Sequence, residues 1–376
     1  MQTASQRYLV LDVLRGMTIC FMIIVNTSGN GATTYAILQH AHWNGFTPTD
    51  LVFPTFMFVV GNALSFVSRK WQGLSEAAVI WQIAKRAIII FLLGFLLYWF
   101  PFVHWNATGH LEANPISSTR IMGVLQRIAL GYFFAALMVR YLSISAITRL
   151  SFIFLLLYWF ILLFFGDHAD PYNISANAGS QLDRWLFGSP HLYHGEGIAF
   201  DPEGLLSTLP AIANVTFGYL AGKWIQEKGK TYETLTKLLL AGLASIVVAL
   251  GWDWFFPINK KLWTGSFVLL TVGIDCVLLA ALIYWIDFRE RTRWTKFFVV
   301  FGKNPIFIYL LSEVGAIILS FIPVGEKKQA LHTWLYEHVF QKAGMYFGSF
   351  LFAVSFMLFC WVIGYLLDKR RIYIRV

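Results

Sequence analysis

Long runs of apolar residues recur along the chain, separated by short segments that hold most of the charged, Gly and Pro residues. An α-helix needs about 20 apolar residues to cross a hydrocarbon core of about 30 Å. The pattern predicts an all-α integral membrane protein, a single bundle of about ten transmembrane helices forming one domain over residues 1–376. The predicted spans are 8–26, 50–68, 86–103, 121–140, 148–166, 205–223, 238–256, 262–286, 297–322 and 345–367.

The first apolar run differs from a cleaved signal peptide. It contains Asp12 and Arg15, and it lacks a small-x-small cleavage site. We therefore expect a retained first helix that follows Arg7 and carries polar residues inside the membrane.

The basic residues predict the orientation of the bundle. Of 29 Lys and Arg residues, nineteen fall at the chain ends and in alternate loops, whereas seven fall in the opposite loops. Cytoplasmic loops are enriched in Lys and Arg. Both termini are therefore predicted to be cytoplasmic.

The composition also favours a membrane environment. The chain is 57% hydrophobic and only 13% charged, about half the charged share of an ordinary soluble domain. The formal net charge of +9 follows the loops, so it indicates topology and no nucleic-acid partner. Cys20, Cys276 and Cys360 each lie in an apolar run, which favours core packing over disulfides.

The longest segment outside the predicted spans covers residues 166–204 and contains aromatic, Gly and Pro residues. This composition predicts a folded extracytoplasmic cap rather than a linker. His191, His194 and Glu196 are close together in the cap, but short His spacing without a third firm ligand is a weak metal signal. We predict no metal site.

Ionisable residues inside a span cost a few kcal/mol and often pair or serve function. Asp12 and Arg15 are three residues apart on one helix face, so they can pair, or Arg15 can meet an anionic ligand. Lys303 and Asn304 precede Pro305, which lacks a backbone donor and can open the ninth span. That position suits either a kink with a snorkelling lysine or a phosphate-binding group.

Three further polar residues lie toward the outer half of their predicted spans. Gln126 and Arg127 belong to the fourth span, and Glu313 belongs to the ninth. They can line one cavity, or Arg127 and Glu313 can form a structural pair.

The segment after the first span is the richest in chemistry. Asn26 is followed by a loop that contains His40, His42 and Trp43 and leads to Asp50. A histidine can remove a proton from an attacking amine or hydroxyl, or attack a thioester itself. An asparagine can donate hydrogen bonds to a developing oxyanion. The alternative is a simple interfacial anchor.

Several motifs together resemble the heparan-α-glucosaminide N-acetyltransferase family, in particular its bacterial inner-membrane members, within the transmembrane acyltransferases. They are Leu11-Asp12-Val13-Leu14-Arg15-Gly16, Val25-Asn26, His40-Ala41-His42-Trp43-Asn44-Gly45, Asp50-Leu51-Val52-Phe53-Pro54, Gly123-Val124-Leu125-Gln126-Arg127, Asp201-Pro202-Glu203-Gly204-Leu205-Leu206-Ser207-Thr208-Leu209-Pro210, Pro257-Ile258-Asn259-Lys260-Lys261-Leu262-Trp263-Thr264 and Gly302-Lys303-Asn304-Pro305. The similarity extends along the whole chain.

The resemblance implies that a cytosolic acetyl-CoA donates its acetyl group to an acceptor amine on the far side of the membrane. It implies a catalytic histidine and a preceding asparagine, which correspond to His40 and Asn26, with His42 as the rival histidine. The catalytic loop is then periplasmic, and a homodimer in the lipid bilayer is plausible from the family. The attacking group of the acceptor, an amine or a hydroxyl, stays open.

These expectations assign roles to the polar residues. The donor-binding residues are expected to be Asp12, Arg15, Gln126, Arg127, Lys303 and Asn304. An extracytoplasmic amino sugar or glycan is expected to meet Trp43, Asn44, Asp50, Asp201, Glu203, Asn259, Lys260, Trp263 and Glu313. Rival interpretations are a secondary transporter for a sugar or organic anion, since polar residues and broken helices also serve transport, and a noncatalytic membrane scaffold.

Overall fold

The computed structural model describes residues 8–326 and 328–374, and helices dominate this part of the chain. Arg7, Lys327 and Arg375, which entered the count of basic residues, lie outside the described residues. The α-helices are α1 (Leu9–Asn26), α2 (Val52–Val67), α3 (Glu76–Trp99), α4 (Val124–Tyr141), α5 (Ile144–Phe165), α6 (Ala178–Phe187), α7 (Thr208–Lys228), α8 (Tyr232–Trp252), α9 (Gly265–Ile283), α10 (Thr295–Lys303), α11 (Pro305–Phe321), α12 (Leu331–Leu335) and α13 (Met345–Lys369).

The strands of the described residues form two short antiparallel hairpins, and short 3₁₀ and π-helical segments lie between the longer helices. In the first, β1 (Val103–Trp105) pairs with β2 (Leu111–Ala113), and in the second, β3 (Pro323–Val324) pairs with β4 (Gln329–Ala330). Both hairpins join helices and contribute no layer of their own.

The predicted membrane class is confirmed. Within residues 8–326 and 328–374, eight helices are long and apolar enough to cross a membrane, and the bent pair α10–α11 would make nine. The pair bends by 84°, at the point where Pro305 cannot donate a backbone hydrogen bond. The sequence also predicted a span at 205–223, where α7 lies, but α7 falls outside this apolar set.

The third predicted span has different bounds in the structure. It was expected at 86–103, but α3 begins at Glu76 and ends at Trp99. The Ser75 side chain accepts a hydrogen bond from the backbone N–H of Ala78 and so caps the helix ten residues earlier. Glu76, Gln82, Lys85 and Arg86 interrupt the apolar residues at the start of α3, so a prediction based on apolar runs placed the start too late.

The chain divides into two compact units. Among the described residues, unit 1 comprises 8–40, 47–56, 278–326 and 328–374, and unit 2 comprises 41–46 and 57–277. The division falls inside α2 and α9. The single domain predicted from the sequence stays a prediction.

In unit 1, α1 packs against α10, α11 and α13. Gly16 and Gly302 allow the closest approach, because a Cβ atom at Gly302 would overlap the carbonyl of Asp12 and one at Gly16 would overlap the carbonyl of Phe298. Small residues at a crossing let helix backbones pack tightly inside a membrane. The apolar core beside this crossing consists of Ile19, Cys20, Ile23, Phe301, Ile308, Phe356, Met357 and Cys360.

In unit 2, α4 packs against α3 and α7, and α7 packs against α5. The segment 166–204 folds around α6, whose first turn is capped by the Asn177 side chain. A second apolar core, made by Tyr158, Leu162, Ala178 and Phe256, lies where this segment meets α5.

Candidate functional site

The loop between α1 and α2 begins at Asn26 and ends at a 3₁₀ turn, Pro48–Leu51. A capping box fixes this turn, since the side chains of Thr47 and Asp50 each bond to the other residue's backbone. The turn packs against α1 within unit 1. Local sequence therefore holds Asp50 in one orientation.

Asp50 is the partner of His40. The Nδ1 atom of His40 lies 2.8 Å from Oδ1 of Asp50, and the Asp50 side chain is fully buried. Its other oxygen, Oδ2, accepts hydrogen bonds from the backbone N–H of Thr47 at 3.0 Å and from the Thr47 hydroxyl at 3.1 Å. A carboxylate held in this way orients an imidazole and favours the tautomer with its proton on Nδ1.

This contact changes the role expected of Asp50. The sequence suggested a residue that binds the acceptor, whereas in the structure the carboxylate contacts Nδ1 of the His40 ring. In the Nδ1–H tautomer the lone pair lies on Nε2, so a partly exposed imidazole with a buried carboxylate can accept a proton or act as a nucleophile.

Asn26 lies at the exposed end of α1. Its Nδ2 atom is 3.4 Å from Oε1 of Glu313 in α11, which is a long hydrogen bond. Glu313 was expected either in a common cavity with Gln126 and Arg127 or in a pair with Arg127. Glu313 instead accepts a hydrogen bond from Asn26, and Arg127 contacts Gly204 and Ser207.

The expected donor residues of unit 1 meet where α1 crosses α10. Arg15 donates to the carbonyl of Gly302 at 3.3 Å and lies 3.8 Å from Asp12, so the predicted Asp12–Arg15 pair is present. Lys303, next along α10, makes an ion pair with Asp368 at 2.6 Å. The two glycines of the crossing bring these charges together.

Asn304 and Lys303 both hold the end of the described chain. Asn304 donates to the carbonyl of Ile372 at 3.0 Å and accepts from the backbone N–H of Ile374 at 2.8 Å. The Lys303 ammonium lies 5.9 Å from the ring centroid of Tyr373. A phosphate at Lys303 would therefore compete with the carboxylate of Asp368.

An apolar cavity of about 310 Å³ lies inside unit 1, at the lower end of the range for small-molecule sites. Two tryptophans near the basic 289–296 loop line one part, and Leu51, the neighbour of Asp50, lines another. The full lining is Leu14, Met17, Thr18, Phe21, Leu51, Val52, Thr55, Leu278, Ala281, Leu282, Trp285 and Trp294. No pattern in the sequence indicates this cavity, because its walls are ordinary apolar helix residues.

In unit 2, Gln126 and Arg127 are fully buried in α4. The Arg127 guanidinium lies 4.8 Å from the ring centroid of Trp263 and donates to the carbonyl of Gly204 at 3.2 Å; it also contacts the hydroxyl of Ser207. Among the described residues, Nε and Nη1 of Arg127 and both amide atoms of Gln126 have no hydrogen-bond partner. These two side chains can therefore make further hydrogen bonds, although both are buried away from solvent.

Trp263 does not provide the outer aromatic surface expected for it. It is only 1% exposed, its indole N–H donates to Asn214 at 2.8 Å, and Arg127 covers its ring. The left-handed backbone of Trp263, with φ of 57°, turns the side chain into the core. In the sequence, Trp263 is an aromatic residue at one end of the predicted span 262–286, and nothing in this position indicates that its side chain turns into the core.

The turn Pro257–Thr264 binds the segment that follows His40. The backbone N–H of Gly45 donates to Ile258 at 2.8 Å, and Asn259 donates to the side chain of Asn44 at 3.1 Å. Lys261 donates to the carbonyl of His42 at 2.9 Å and to Glu196 of the cap segment at 2.7 Å. Of the residues expected to bind acceptor, Asn44 and Asn259 are therefore adjacent, and Lys260 belongs to the same turn.

Trp43 packs edge-on against Phe200 of the cap segment, with ring centroids 5.6 Å apart. Trp43 is partly exposed and Asn44 is exposed. These two residues, unlike Trp263, present surface on which a ligand can rest.

Asp201 and Glu203, also expected to bind acceptor, bind Arg120 instead. The guanidinium of Arg120 lies 2.6 Å from Asp201 and 2.5 Å from Glu203, between the rings of Tyr98 and Tyr193. Burial disfavours the charged form of Arg120, but the two carboxylates outweigh this effect and raise its pKa. Arg120 was counted among the outer basic residues, and its partners are 81 and 83 positions away, so no local pattern identified it.

Asp183 is a second residue that the sequence did not single out. It is buried in α6, and its Oδ1 atom accepts from the backbone N–H of Leu205 at 3.0 Å. Burial raises the pKa of Asp183 to about 7, against the lowering effect of that hydrogen bond.

The histidines considered as metal ligands have protein partners. Nδ1 of His191 lies 2.7 Å from the carbonyl of Thr119, Nε2 of His194 lies 3.0 Å from that of Ser189, and Glu196 pairs with Lys261. Over residues 8–326 and 328–374, no group of three or more His, Cys, Asp or Glu side chains is placed to hold a metal ion.

The long apolar helices, the charged crossing of α1 with α10 and the His40–Asp50 pair define a polytopic helical membrane protein with a polar site in its loops. No family model matches the chain. Heparan-alpha-glucosaminide N-acetyltransferase of Mus musculus is 29% identical in an alignment that covers 83% of this chain and 54% of the mouse protein. The Homo sapiens protein of the same name is 29% identical in an alignment that covers 81% of this chain and 52% of the human protein.

These matches confirm the resemblance to the heparan-α-glucosaminide N-acetyltransferase family that the motifs carry. The chain spans about half the length of the curated relatives it matches.

Proposed function

We propose that this protein is a transmembrane acetyltransferase that moves an acetyl group from cytosolic acetyl-CoA to the amine or hydroxyl of an extracytoplasmic amino sugar. The observation that carries the proposal is the His40–Asp50 pair at 2.8 Å, in a chain whose relatives are named as N-acetyltransferases of a glucosaminide. A bacterial inner membrane, with the catalytic loop on the periplasmic side, is the location that we propose.

His40 is proposed to act through Nε2. In a ternary complex, Nε2 takes the proton of the attacking amine or hydroxyl as the new bond to the acetyl carbon forms and the bond from that carbon to sulfur breaks. The electron pair of the broken bond leaves with the CoA thiolate. Asp50 stabilises the imidazolium that this step creates.

A covalent route uses the same residue. Nε2 would attack the thioester carbonyl, release the thiolate and carry the acetyl group until the acceptor attacks it. Acetyl label retained on His40 without acceptor would support this route, whereas a strict need for both substrates would support the ternary complex.

Asn26 is proposed to donate a hydrogen bond to the acetyl carbonyl oxygen as negative charge develops there. Its present bond to Glu313 is long, at 3.4 Å, so exchanging that bond for one to the oxyanion costs little. Glu313 would then orient the amide rather than bind the acceptor directly.

The 310 Å³ cavity of unit 1 is proposed to admit the pantetheine arm of the donor. Its apolar lining extends from Trp285 and Trp294 to Leu51, the residue after Asp50. At the tryptophan end, Arg15 and the exposed basic residues of the following loop would attract the anionic nucleotide. These exposed residues are Arg289, Arg291 and Arg293 of the loop and Lys296 at the start of α10. Asp12, Lys303 and Asn304 would support Arg15 and the chain around it.

The acceptor is proposed to rest on Trp43 and Asn44, with Asn259 and Lys260 behind them. Aromatic faces and amides suit the apolar and hydroxyl-bearing sides of a sugar ring. The acceptor site would be supported by Asp201, Glu203 and Trp263, which lie behind the residues that touch the sugar. Hydrogen bonds to a substrate inside unit 2 would come from the unpartnered donors of Gln126 and Arg127. A homodimer in the lipid bilayer is part of the proposal.

The test measures acetyl transfer from radiolabelled acetyl-CoA to glucosamine by purified protein in liposomes. We expect His40→Ala to abolish transfer and Asp50→Asn to lower kcat by about 10²-fold or more, while His110→Ala, in the exposed loop of the β1–β2 hairpin, stays at the wild-type rate. Loss in His42→Ala with activity in His40→Ala would reassign the base to His42. Uptake of unmodified glucosamine by a folded wild type without transfer would favour the transporter.

A further inference from the structure

The loop that joins Asn26 to His40 is held by a part of the chain more than 300 residues away. These distant anchors lie in unit 1, on α12, on the segment after it and on the first turns of α13, whereas the Thr47 and Thr49 hydroxyls bond to the carbonyls of Gln39 and Ile37 at the other end of the loop. The loop has only short 3₁₀ turns of its own, Gly31–Thr33 and Ala36–Leu38. Its conformation therefore depends on these anchors.

Ser349 makes the densest set of contacts with the loop. Its hydroxyl accepts from the backbone N–H of Asn30 at 3.0 Å and also lies 3.2 Å from the carbonyl of Asn30. Its own carbonyl accepts from the backbone N–H of Gly29 at 3.2 Å. Ser349 is 1% exposed, so water cannot easily replace these bonds.

Tyr336 provides a second anchor. Its buried phenol lies 3.1 Å from the hydroxyl of Thr33 and donates to the carbonyl of Met345 at 3.0 Å. The Tyr336 ring also leaves no room for a side chain at Gly29. The loop is thus fixed at Asn30 and at Thr33.

His332 provides a third anchor, close to Asn26. Its Nε2 atom lies 3.2 Å from the carbonyl of Ser28, and its ring packs edge-on against Phe352 with centroids 4.7 Å apart. Burial lowers the pKa of His332, so the ring is neutral near pH 7 and acts here as a hydrogen-bonding group.

We propose that Ser349 and Tyr336 are positioning residues for the candidate catalytic loop: they fix the backbone at Asn30 and Thr33 and thereby set the placement of Asn26 and His40 at the two ends of the loop. This inference rests on the proposed function. Neither side chain touches the reacting atoms; both act through the loop. If the loop geometry limits the reaction, the loss of the hydrogen bonds of one anchor is expected to lower the rate about tenfold, which corresponds to about 1.4 kcal/mol in the activation free energy.

The experiment compares Ser349→Ala and Tyr336→Phe with the matched control Ser312→Ala in lipid nanodiscs. Ser312 is also a buried serine of unit 1, but its hydroxyl donates only to the carbonyl of Tyr309 in its own helix at 2.8 Å. Amide hydrogen exchange of peptides covering residues 28–34 reports the loop, and steady-state transfer to glucosamine reports kcat and KM for acetyl-CoA.

We expect faster exchange at 28–34 in Ser349→Ala and Tyr336→Phe, with kcat lowered about tenfold and KM for acetyl-CoA changed less than about twofold. Ser312→Ala should match the wild type in both measurements. Unchanged exchange, or faster exchange with an unchanged kcat, would overturn the positioning role. A folded wild type without any transfer would overturn the proposed function. Amide exchange at residues 28–34 that is unchanged in Ser349→Ala and Tyr336→Phe would separately show that the loop does not depend on these anchors.

Discussion

At the scale of single residues, the candidate site depends on how each acid is partnered. Asp50 is buried and receives two bonds from Thr47, so it can orient His40. Asp201 and Glu203 share the cation Arg120. Asp183 is buried with a backbone N–H as its hydrogen-bond donor, so its charge is costly and its pKa is raised to about 7.

Asp183 predicts a pH dependence of stability. Its pKa in the folded protein exceeds the unfolded value of about 3.9, so its stabilising contribution is complete below pH 4 and is lost as pH rises through 7. Asp183→Asn keeps an acceptor for Leu205 and removes the charge. We expect this variant to unfold at a higher temperature than the wild type at pH 8, with the difference shrinking toward pH 5.

Thermal unfolding in detergent at several pH values measures the effect. Asp167→Asn is the control, because Asp167 lies on the exposed surface of the same cap segment. An Asp183→Asn melting temperature that stays parallel to the wild type from pH 5 to 8 would show that Asp183 does not titrate in this range.

At the scale of helices, the crossing of α1 and α10 brings Arg15 and Lys303 together because two glycines permit backbone contact. Gly302→Ala would place a methyl group on the carbonyl of Asp12. We expect a loss of about 1–3 kcal/mol of unfolding free energy and a raised KM for acetyl-CoA, since the helices must separate.

Gly251→Ala is the matched control for this prediction. A Cβ atom at Gly251, inside α8, meets no atom within 4 Å, so the change should be neutral or stabilising by about 0.4–1 kcal/mol. Equal stability of the two alanine variants in nanodisc melting experiments would contradict the tight crossing.

At the scale of the whole molecule, the proposed reaction requires a path through the membrane, and the unit 1 cavity provides the candidate. Thr18 lines it, and its hydroxyl bonds to the carbonyl of Leu14 in its own helix at 2.8 Å. Thr18→Phe should fill the cavity and raise KM for acetyl-CoA about tenfold or more, while KM for glucosamine changes little.

Thr148→Phe is a close control for Thr18→Phe. Thr148 lines a separate cavity of about 510 Å³ in unit 2, and its hydroxyl bonds to the carbonyl of Ile144 in the same i−4 manner at 2.9 Å. If both variants raise KM for acetyl-CoA equally, the unit 1 cavity is not the donor path.

The orientation of the chain is also a whole-molecule property and stays a prediction of the charge pattern. In a background without Cys20, Cys276 and Cys360, a cysteine at Thr108 should react with a membrane-impermeant maleimide added to intact cells. A cysteine at Lys230 should react only after the cells are opened. The reverse result would invert the bundle and place His40 on the cytoplasmic side.

The helical membrane class, most span positions and the break at Pro305 followed from the sequence alone. They depend on local quantities: the length of an apolar run and the missing donor of proline. The loop around His40 was also identified from its residue types and motifs. Even the Asp12–Arg15 pair followed from their spacing of three residues.

Only the tertiary structure decided which partner each polar side chain has. Asp50 meets His40 ten positions earlier, Glu313 meets Asn26 across 287 positions, and Arg120 meets Asp201 across 81. Trp263 points inward because of its backbone conformation, and the unit 1 cavity is bounded by residues from distant segments. Such contacts depend on how helices pack and turn. The pattern of residue types along the chain gives the local preference of each segment, but it does not give the neighbour that folding places beside it.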